Sequence, residues 1–194
     1  MACNLAARKG RNKYIFLLNS DVILEPDSGD VMVSYLENDD ELGVVGMKLL
    51  FPQEIPYEDS RIRPTGKVQH YGISFDITAR PQHIFVGWSP ENPKVNVPIE
   101  PPAVTGAAFM TRRSIWNKVK GLETSYGMGT YEDVDYCFSV RREGYKVMVF
   151  PDAVATHYTG ASQTKENTFP LEINRNLFYN RWQGKIEWSD GRLL

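Results

Sequence analysis

Residues 14–21 read Tyr14-Ile15-Phe16-Leu17-Leu18-Asn19-Ser20-Asp21, an apolar run that stops at three polar side chains. An unbroken apolar run of this length predicts a strand buried on both faces of a parallel sheet. Residues 28–38 then predict a helix capped by Asp27 or Ser28, and residues 44–50 predict a second apolar strand. This order of strand, helix and strand predicts an α/β fold.

The same alternation continues on both sides of this unit. Residues 2–10 predict the end of a helix, with Gly10 as its stop. Farther along, residues 103–110 predict a strand with Gly106 at its centre. The remaining predicted elements are a helix at 112–119, a helix at 131–143 and a strand at 145–150.

Residues 51–102 interrupt the pattern. Ten of the twelve prolines lie between Pro26 and Pro102. Hydrophobic periodicity is weak there except at residues 67–76, which predict a short hairpin or a bent strand. An irregular region of this length inside a compact domain is more often a functional loop than a linker.

Composition narrows the class of protein. A chain of 194 residues with 42% hydrophobic and 24% charged residues fits one globular domain, and a net charge of −2 argues against nucleic acid as the main partner. The two cysteines show no CxxC spacing, which fits a reducing, cytoplasmic setting without a zinc knuckle or disulfide framework. No run reaches the roughly 18 apolar residues of a membrane span. We therefore expect a protein that is soluble or at most bound to a membrane surface.

Asp21 is the first candidate site residue. It follows a predicted buried strand, at the edge where open α/β sheets bind their ligands. A carboxylate there can hold a divalent cation, which in turn can bridge the oxygens of a diphosphate. The alternative is that Asn19, Ser20 and Asp21 only form a turn.

An acidic cluster at Glu132, Asp133 and Asp135 is the second candidate. Anions at the start of a helix are favoured by its dipole, so capping by Thr130 is the structural alternative. Three neighbouring acids repel one another, however, and repulsion with partial burial raises a carboxyl pKa towards that of a useful base. We expect one of these acids to face a cleft and another to anchor the helix.

His157 is the third candidate, at the end of the apolar residues 154–156. Imidazole together with carboxylate and water ligands suits manganese or magnesium. A lone histidine is more often structural, and we assign that role to His70 and His83.

These residues together give the chain a resemblance to the family 2 glycosyltransferases of the GT-A fold, particularly the rhamnosyltransferase-like branch. The resemblance runs from about Asn4 to Ser162. It implies a GT-A-like (Rossmann-like) mixed sheet flanked by helices. Its carriers are residues 17–22, Val104-Thr105-Gly106-Ala107, Tyr131-Glu132-Asp133-Val134-Asp135 with Arg141 and Gly144-Tyr145, and His157 with Gly160 and Ser162.

The resemblance also implies roles for individual residues. Asp133 matches the general base of inverting members, while Asp21 and His157 match ligands of a divalent cation, Mn²⁺ or Mg²⁺. The donor would be a nucleotide-diphosphate sugar, and the acceptor a hydroxyl of a glycan or lipid-linked molecule. Donor binding falls to Asn19, Ser20 and Gly106, while Glu132 and Asp135 would bind the acceptor or orient Asp133.

Two departures from the family pattern stand out. The metal-binding motif opens with Asn19 where the family has aspartate. The family also has two further βα units, each of very roughly 30 residues, before the helix that ends at Gly10. We therefore expect one N-terminally truncated domain over residues 1–194. Its parts are the end of the nucleotide-binding half (1–50), variable acceptor-side loops (51–102), the catalytic and acceptor half (103–162) and a tail with a helix (163–194).

Other functions remain open. A catalytically silent fragment that binds metal or glycan, or that needs a partner chain, is the main alternative. A nucleotidyltransferase is disfavoured, because Gly106 and the acids at 132–135 fit acceptor activation better.

In the tail, residues 174–182 mix aromatics with arginines at helical spacing. A helix that packs Leu177, Phe178 and Trp182 on the domain is favoured over a helix that lies at a membrane surface.

Overall fold

The computed structural model of the protein describes residues 2–54, 65–76, 78, 80–127, 129–158, 170–187 and 191–194. Its helices are α1 (Ala2–Lys9), α2 (Ser28–Asn38), α3 (Arg113–Val119), α4 (Glu132–Arg142) and α5 (Leu171–Trp182). Its strands are β1 (Tyr14–Leu18), β2 (Val22–Leu24), β3 (Leu42–Leu50), β4 (Val68–His70), β5 (Ile73–Phe75), β6 (Pro81–His83), β7 (Ala108–Arg112), β8 (Lys146–His157), β9 (Ile186–Glu187) and β10 (Arg192–Leu193).

A mixed sheet forms the centre of the molecule. Its strands run in the order β1-β7-β3-β8-β2, and β4 is paired to β3. The predicted α/β class is confirmed, but the predicted parallel setting of β1 is wrong, because β1 pairs antiparallel with β7. Among the described strands of this sheet, β3 and β8 are the parallel pair. β1 is also less buried than predicted, with Leu18 44% exposed, because it lies at the end of the strand order. An apolar run predicts a strand but neither the direction of its neighbours nor its place in the sheet.

Alternation along the strands divides the core between the two faces of the sheet. Val44 and Phe109 pack with residues of α4 and α5 on one face. Val45 and Met110, one residue farther along each strand, pack with residues of α2 on the other. Successive side chains of a strand point to opposite faces, so one sheet supports both helical layers.

Several element boundaries differ from the predictions. The strand predicted at 103–110 begins at Ala108 instead, so Gly106 lies in the turn before β7. Asp27 is the N-cap of α2 but makes no side-chain cap hydrogen bond. The Ser28 hydroxyl bonds the carbonyl of Val154 at 2.9 Å. The amides of Thr105 and Gly106 bond to the side chains of His70 and Asp133 instead of to a strand, and Ser28 bonds to β8. Tertiary contacts therefore outweigh local preference at both places.

Residues 51–102, the irregular segment, contact the central sheet through β4 and through the buried side chain of Lys48. Residues 67–76 form β4, which pairs with β3, and β5, which pairs with β6, rather than one hairpin. Lys48 is 5% exposed, and its ammonium donates to the carbonyl of Val95 at 3.3 Å and to Oδ1 of Asn96 at 3.1 Å. Burial lowers the pKa of Lys48. This residue therefore anchors a loop of the segment against β3.

The C-terminal helix packs on the domain, as predicted. Phe178 and Trp182 of α5 are fully buried, and Leu177 packs against the same core. Leu171 and Ile173 are exposed at its start. Within the described residues, no helix has both the length and the apolar character needed to cross a bilayer.

Candidate active site

The turn between β1 and β2 brings Asp21 to His157. Only residues 19–21 separate these two strands along the chain, although β1 and β2 lie at opposite ends of the strand order. Val22 is paired with His157, and the amide of Tyr158 donates to the Asp21 carbonyl at 2.9 Å. As a result, Oδ1 of Asp21 lies 3.3 Å from Nε2 of His157, and both side chains are largely buried.

Gln69 of β4 orients the His157 ring, a role that the sequence did not reveal. The Gln69 amide nitrogen donates to the His157 carbonyl at 2.9 Å, so its Oε1 faces Nδ1 of His157 at 2.7 Å. Nδ1 therefore carries a proton and donates it to Gln69. In a neutral ring this arrangement leaves a lone pair on Nε2, the atom that faces Asp21.

The Asp21–His157 pair fits a divalent cation. Two ligands placed about 2.1 Å from one cation at right angles lie about 3 Å apart, close to the separation seen here. Metal-bound histidines commonly hold their second nitrogen with an oxygen acceptor, as Gln69 does. Among the described residues, however, no third histidine, cysteine or acid joins the pair to complete a ligand set.

Asp133 is held by backbone amides at the start of α4. Its Oδ2 accepts from the Gly106 amide at 2.7 Å, and its Oδ1 accepts from the Val134 amide at 2.8 Å. A Cβ at position 106 would lie 3.1 Å from the Asp133 Cβ, closer than most real contacts. The glycine therefore permits the close approach of the turn to the carboxylate.

The surroundings of Glu132 and Asp133 raise the pKa of both carboxyl groups. Burial raises the pKa of Asp133, although the bonds from the Gly106 and Val134 amides oppose this change. Burial and the charge of Asp133 raise the pKa of Glu132 to about 7. Oε2 of Glu132 has no hydrogen-bond partner among the described residues. Glu132 therefore keeps its proton up to about neutral pH.

Asp135 faces the other way, into contacts with α5 and with the loop before α4. It is 2% exposed, and it accepts from Trp182 Nε1 at 2.7 Å and from the Tyr126 hydroxyl at 3.2 Å. The Nε atom of Arg181 lies 2.9 Å from its Oδ1. Because Trp182 and Tyr126 donate to its Oδ1, Asp135 joins α4 to α5 and to the loop before α4. It is the anchoring acid that the cluster was expected to contain.

His70 and His83 lie beside this site, although the sequence suggested only structural roles. His70 is fully buried, and its Nε2 accepts from the amides of Gly72 at 3.2 Å and Thr105 at 3.4 Å. Its protonated Nδ1 therefore faces Nδ1 of His83 at 3.3 Å. His83 keeps exposed surface, but atoms around its ring lower its pKa by desolvation, and the charge of Asp133 opposes that change.

Residues 105–107 lie between the Asp21–His157 pair and the carboxylate of Asp133, and they bond to both regions. Thr105 holds His70 and Gly106 holds Asp133, while the carbonyl of Ala107 accepts from the Asn19 amide at 2.9 Å. The turn that carries Asp21 is thus bonded next to the residue that holds Asp133. Asn19 and Ser20 are exposed.

A cavity elsewhere in the molecule lies outside the site formed by Asp21, Asp133 and His157. A cavity of about 770 Å³ lies on the far side of α4, where Asp135, Ser139 and Arg181 line it, and it does not include Asp133. Gly160 and Ser162, which contribute to the family resemblance, lie outside the described residues.

The comparison with protein families agrees with this geometry. The family model described as "Glycosyltransferase like family 2" matches residues 2–184, nearly the whole chain.

The chain belongs to glycosyltransferase family 2.

Two curated relatives support the membership. The uncharacterized protein y4gI of Sinorhizobium fredii is 28% identical over 170 residues, which cover 85% of this chain and 17% of the relative. The O-antigen biosynthesis protein RfbC of Myxococcus xanthus is 27% identical over 169 residues, which cover 82% of this chain and 12% of the relative. The chain thus spans less than a fifth of the length of either relative.

Solved structures show the same fold. GalNAc-T7, crystallised with UDP, GalNAc and Mn²⁺, superposes with a TM-score of 0.70 at 14% identity, over 97% of this chain and 35% of that one. The mannosyltransferase PcManGT from Pyrobaculum calidifontis, in complex with GDP-Man and Mn²⁺, gives a TM-score of 0.52 at 15% identity, over 83% and 36%. This family 2 chain therefore has the mixed GT-A sheet that the sequence predicted.

Proposed function

We propose that this family 2 chain transfers a sugar from a nucleotide-diphosphate donor to a hydroxyl of a glycan or lipid-linked acceptor. The observation that carries the proposal is the Asp133 carboxylate, fixed by the Gly106 amide beside the turn that bears Asp21. Membership of the family supports the same activity.

Asp133 would serve as the general base. It takes the proton of the acceptor hydroxyl while that oxygen forms a bond to the anomeric carbon, and the bond to the nucleoside diphosphate breaks. Attack from the face opposite the leaving group inverts the configuration. The raised pKa of Asp133 suits this role, because a base is most effective when its pKa approaches the working pH.

Asp21 and His157 would hold a divalent cation, Mn²⁺ or Mg²⁺, with Gln69 orienting the histidine. When bound, such a cation neutralises charge on the diphosphate as it leaves. The exposed side chains of Asn19 and Ser20 lie on the same turn, and we assign them to donor binding together with Gly106. An amide at position 19 can still hydrogen-bond a ribose.

The acceptor would lie on the side of Glu132. Its Oε2 lacks a partner among the described residues, and an acceptor hydroxyl can supply one. We assign the loops of residues 51–102 to the acceptor side, 103–162 to the catalytic half and 1–50 to the donor half. Residues of all three segments contribute to the site, since Gln69 of the loops orients His157 beside Asp21.

A catalytically silent domain is the second candidate. Asn19, which stands where the family has a carboxylate, favours it, because a neutral ligand binds a cation less tightly. Such a domain would bind manganese and a nucleoside diphosphate without turnover.

The test is transfer by the Asp133→Asn variant, measured as nucleoside diphosphate released from UDP- and GDP-sugars in the presence of Mn²⁺. Loss of a general base lowers kcat on the order of 10²–10⁴-fold. Asp30→Asn is the matched control, since Asp30 is an exposed acid in the first turn of α2. Turnover by Asp133→Asn at the rate of the control removes Asp133 from this role. Binding without turnover in the unsubstituted chain supports the silent domain.

A further inference from the structure

The loop that enters α4 has an unfavourable backbone conformation. Three consecutive residues have positive φ angles, namely Gly129 at 126°, Thr130 at 70° and Tyr131 at 73°. Glycine adopts such angles freely, but a β-branched or aromatic residue does not. Residues in this conformation persist only when the surrounding structure holds them there.

Asn174 of α5 supplies that support. Its side chain is 2% exposed, so its amide must find partners within the protein. The Nδ2 group lies 2.6 Å from the carbonyl of Gly129 and 3.0 Å from the carbonyl of Tyr126. It also lies 3.1 Å from the carbonyl of Thr130 and 3.0 Å from its hydroxyl. The two N–H bonds of this side-chain amide thus lie within hydrogen-bond distance of four acceptor atoms of the loop.

The rest of the buried face of α5 contacts the same region. Phe178 packs against the ring of Tyr131 with centroids 5.4 Å apart, and Trp182 donates to Asp135. Asn174, Phe178 and Trp182 are spaced by four residues, so they lie along one side of the helix. This side of α5 therefore contacts the chain before Asp133, at residues 129–131, and after it, at Asp135.

We infer that Asn174 is the positioning residue of the catalytic base. By holding residues 129–131 in the left-handed conformation, it sets the point at which α4 begins and directs Asp133 at the Gly106 amide. This role of Asn174 rests on the proposed function of Asp133. Asp21 and His157 are held by the pairing of β2 with β8 and by Gln69, so we expect a change at Asn174 to act on Asp133 and not on donor binding.

The first experiment compares Asn174→Ala and Asn174→Asp with Asn180→Ala. Asp keeps the shape of the side chain but offers no N–H, and Asn180 is an exposed asparagine of the same helix. We expect both Asn174 variants to lower kcat by about 10- to 100-fold, since a shift of about 1 Å at a reacting group has effects of this size. The KM for the donor should stay within about twofold of that of Asn180→Ala.

The second experiment separates positioning from simple packing. Thr130→Gly removes the penalty of the positive φ angle, so the loop needs less support. In the Asn174→Ala background we expect this change to recover at least about fivefold in kcat, while in the unsubstituted chain it changes kcat by less than about threefold. A packing defect at position 174 is not repaired at position 130.

Hydrogen exchange of the peptide that spans residues 129–135 tests the inference without reference to activity. Faster exchange in Asn174→Ala than in Asn180→Ala is the expected result, even if the chain proves inactive. Unchanged exchange overturns the inference. So does a kcat within twofold of the control, or a loss of kcat that Thr130→Gly does not relieve. If the unsubstituted chain shows no transfer while exchange responds as expected, the proposed function fails and the support of the loop by Asn174 stands.

Discussion

At the scale of single residues, the neighbouring acids Glu132 and Asp133 of α4 have different hydrogen-bond partners. Asp133 accepts two backbone amides, which stabilise its charged form, whereas Oε2 of Glu132 has no described partner. Burial raises the pKa of both carboxyl groups, and the charge of Asp133 adds to the rise at Glu132, whose pKa reaches about 7. The backbone amides oppose the rise at Asp133.

Glu132 should make stability depend on pH in a predictable direction. Its pKa is raised in the folded chain, so its contribution is fully present below about pH 4.5 and is lost as the pH rises through about 7. Glu132→Gln should remove this loss, worth on the order of 2 kcal/mol after allowance for partial exposure.

The measurement is urea unfolding at pH 5 and pH 8, with Glu25→Gln as the control, since Glu25 is exposed. The control should lose as much stability between the two pH values as the unsubstituted chain. An equal loss in Glu132→Gln contradicts the assignment.

At the scale of elements, α4 works through two opposite sides. Asp133 points to the turn before β7, and Asp135 points to α5. Residues two apart on a helix do not share a face. Asp133 can therefore contribute to the candidate site while Asp135 contacts α5. The orientation of the base therefore depends on α5, which is distant in the sequence.

Asp135→Ala should destabilise the fold by about 2–4 kcal/mol. The change leaves Trp182 Nε1 and the Tyr126 hydroxyl buried without their acceptor and breaks the pair with Arg181. Glu172→Ala, which removes an exposed acid of α5, should cost less than about 0.5 kcal/mol. Urea unfolding measures both. Similar values for the two variants would show that Asp135 is not an anchor.

At the scale of the whole molecule, the sheet gathers segments far apart in the chain. Asp21 follows β1, Gln69 belongs to β4 and His157 ends β8. A cation held by Asp21 and His157 would therefore link distant parts of the fold. Binding of this kind stabilises the whole folded state, because the unfolded chain does not bring the ligands together.

Manganese should accordingly raise the thermal midpoint of the unsubstituted chain. At 100 times Kd the gain is about 2.7 kcal/mol. Asp21→Ala and His157→Ala should abolish the shift, and Gln69→Ala should weaken the affinity by about 10- to 100-fold through loss of ring orientation. Calorimetric titration gives the affinities. Equal values in all four proteins would refute the metal site.

The sequence alone was sufficient to predict some of the elements and the chemical groups of the site. The helix at Ser28–Asn38 and the strand at Tyr14–Leu18 were predicted at their observed bounds, because the distribution of apolar residues along a segment is a local property. It also singled out Asp21, Asp133 and His157, since acids and imidazole after apolar runs are visible without coordinates. Two of these, Asp21 and His157, meet directly in the fold.

The use of these parts follows from the folded arrangement of the chain. This arrangement paired β1 antiparallel, turned Asp135 away from the site, and brought in Gln69, His83 and Asn174. A hydrogen bond between residues 88 positions apart, such as that of Gln69 to His157, leaves no periodic trace in either segment. Local pattern fixes which side chains a segment carries, whereas their partners are set by packing between segments, and that depends on the whole chain at once.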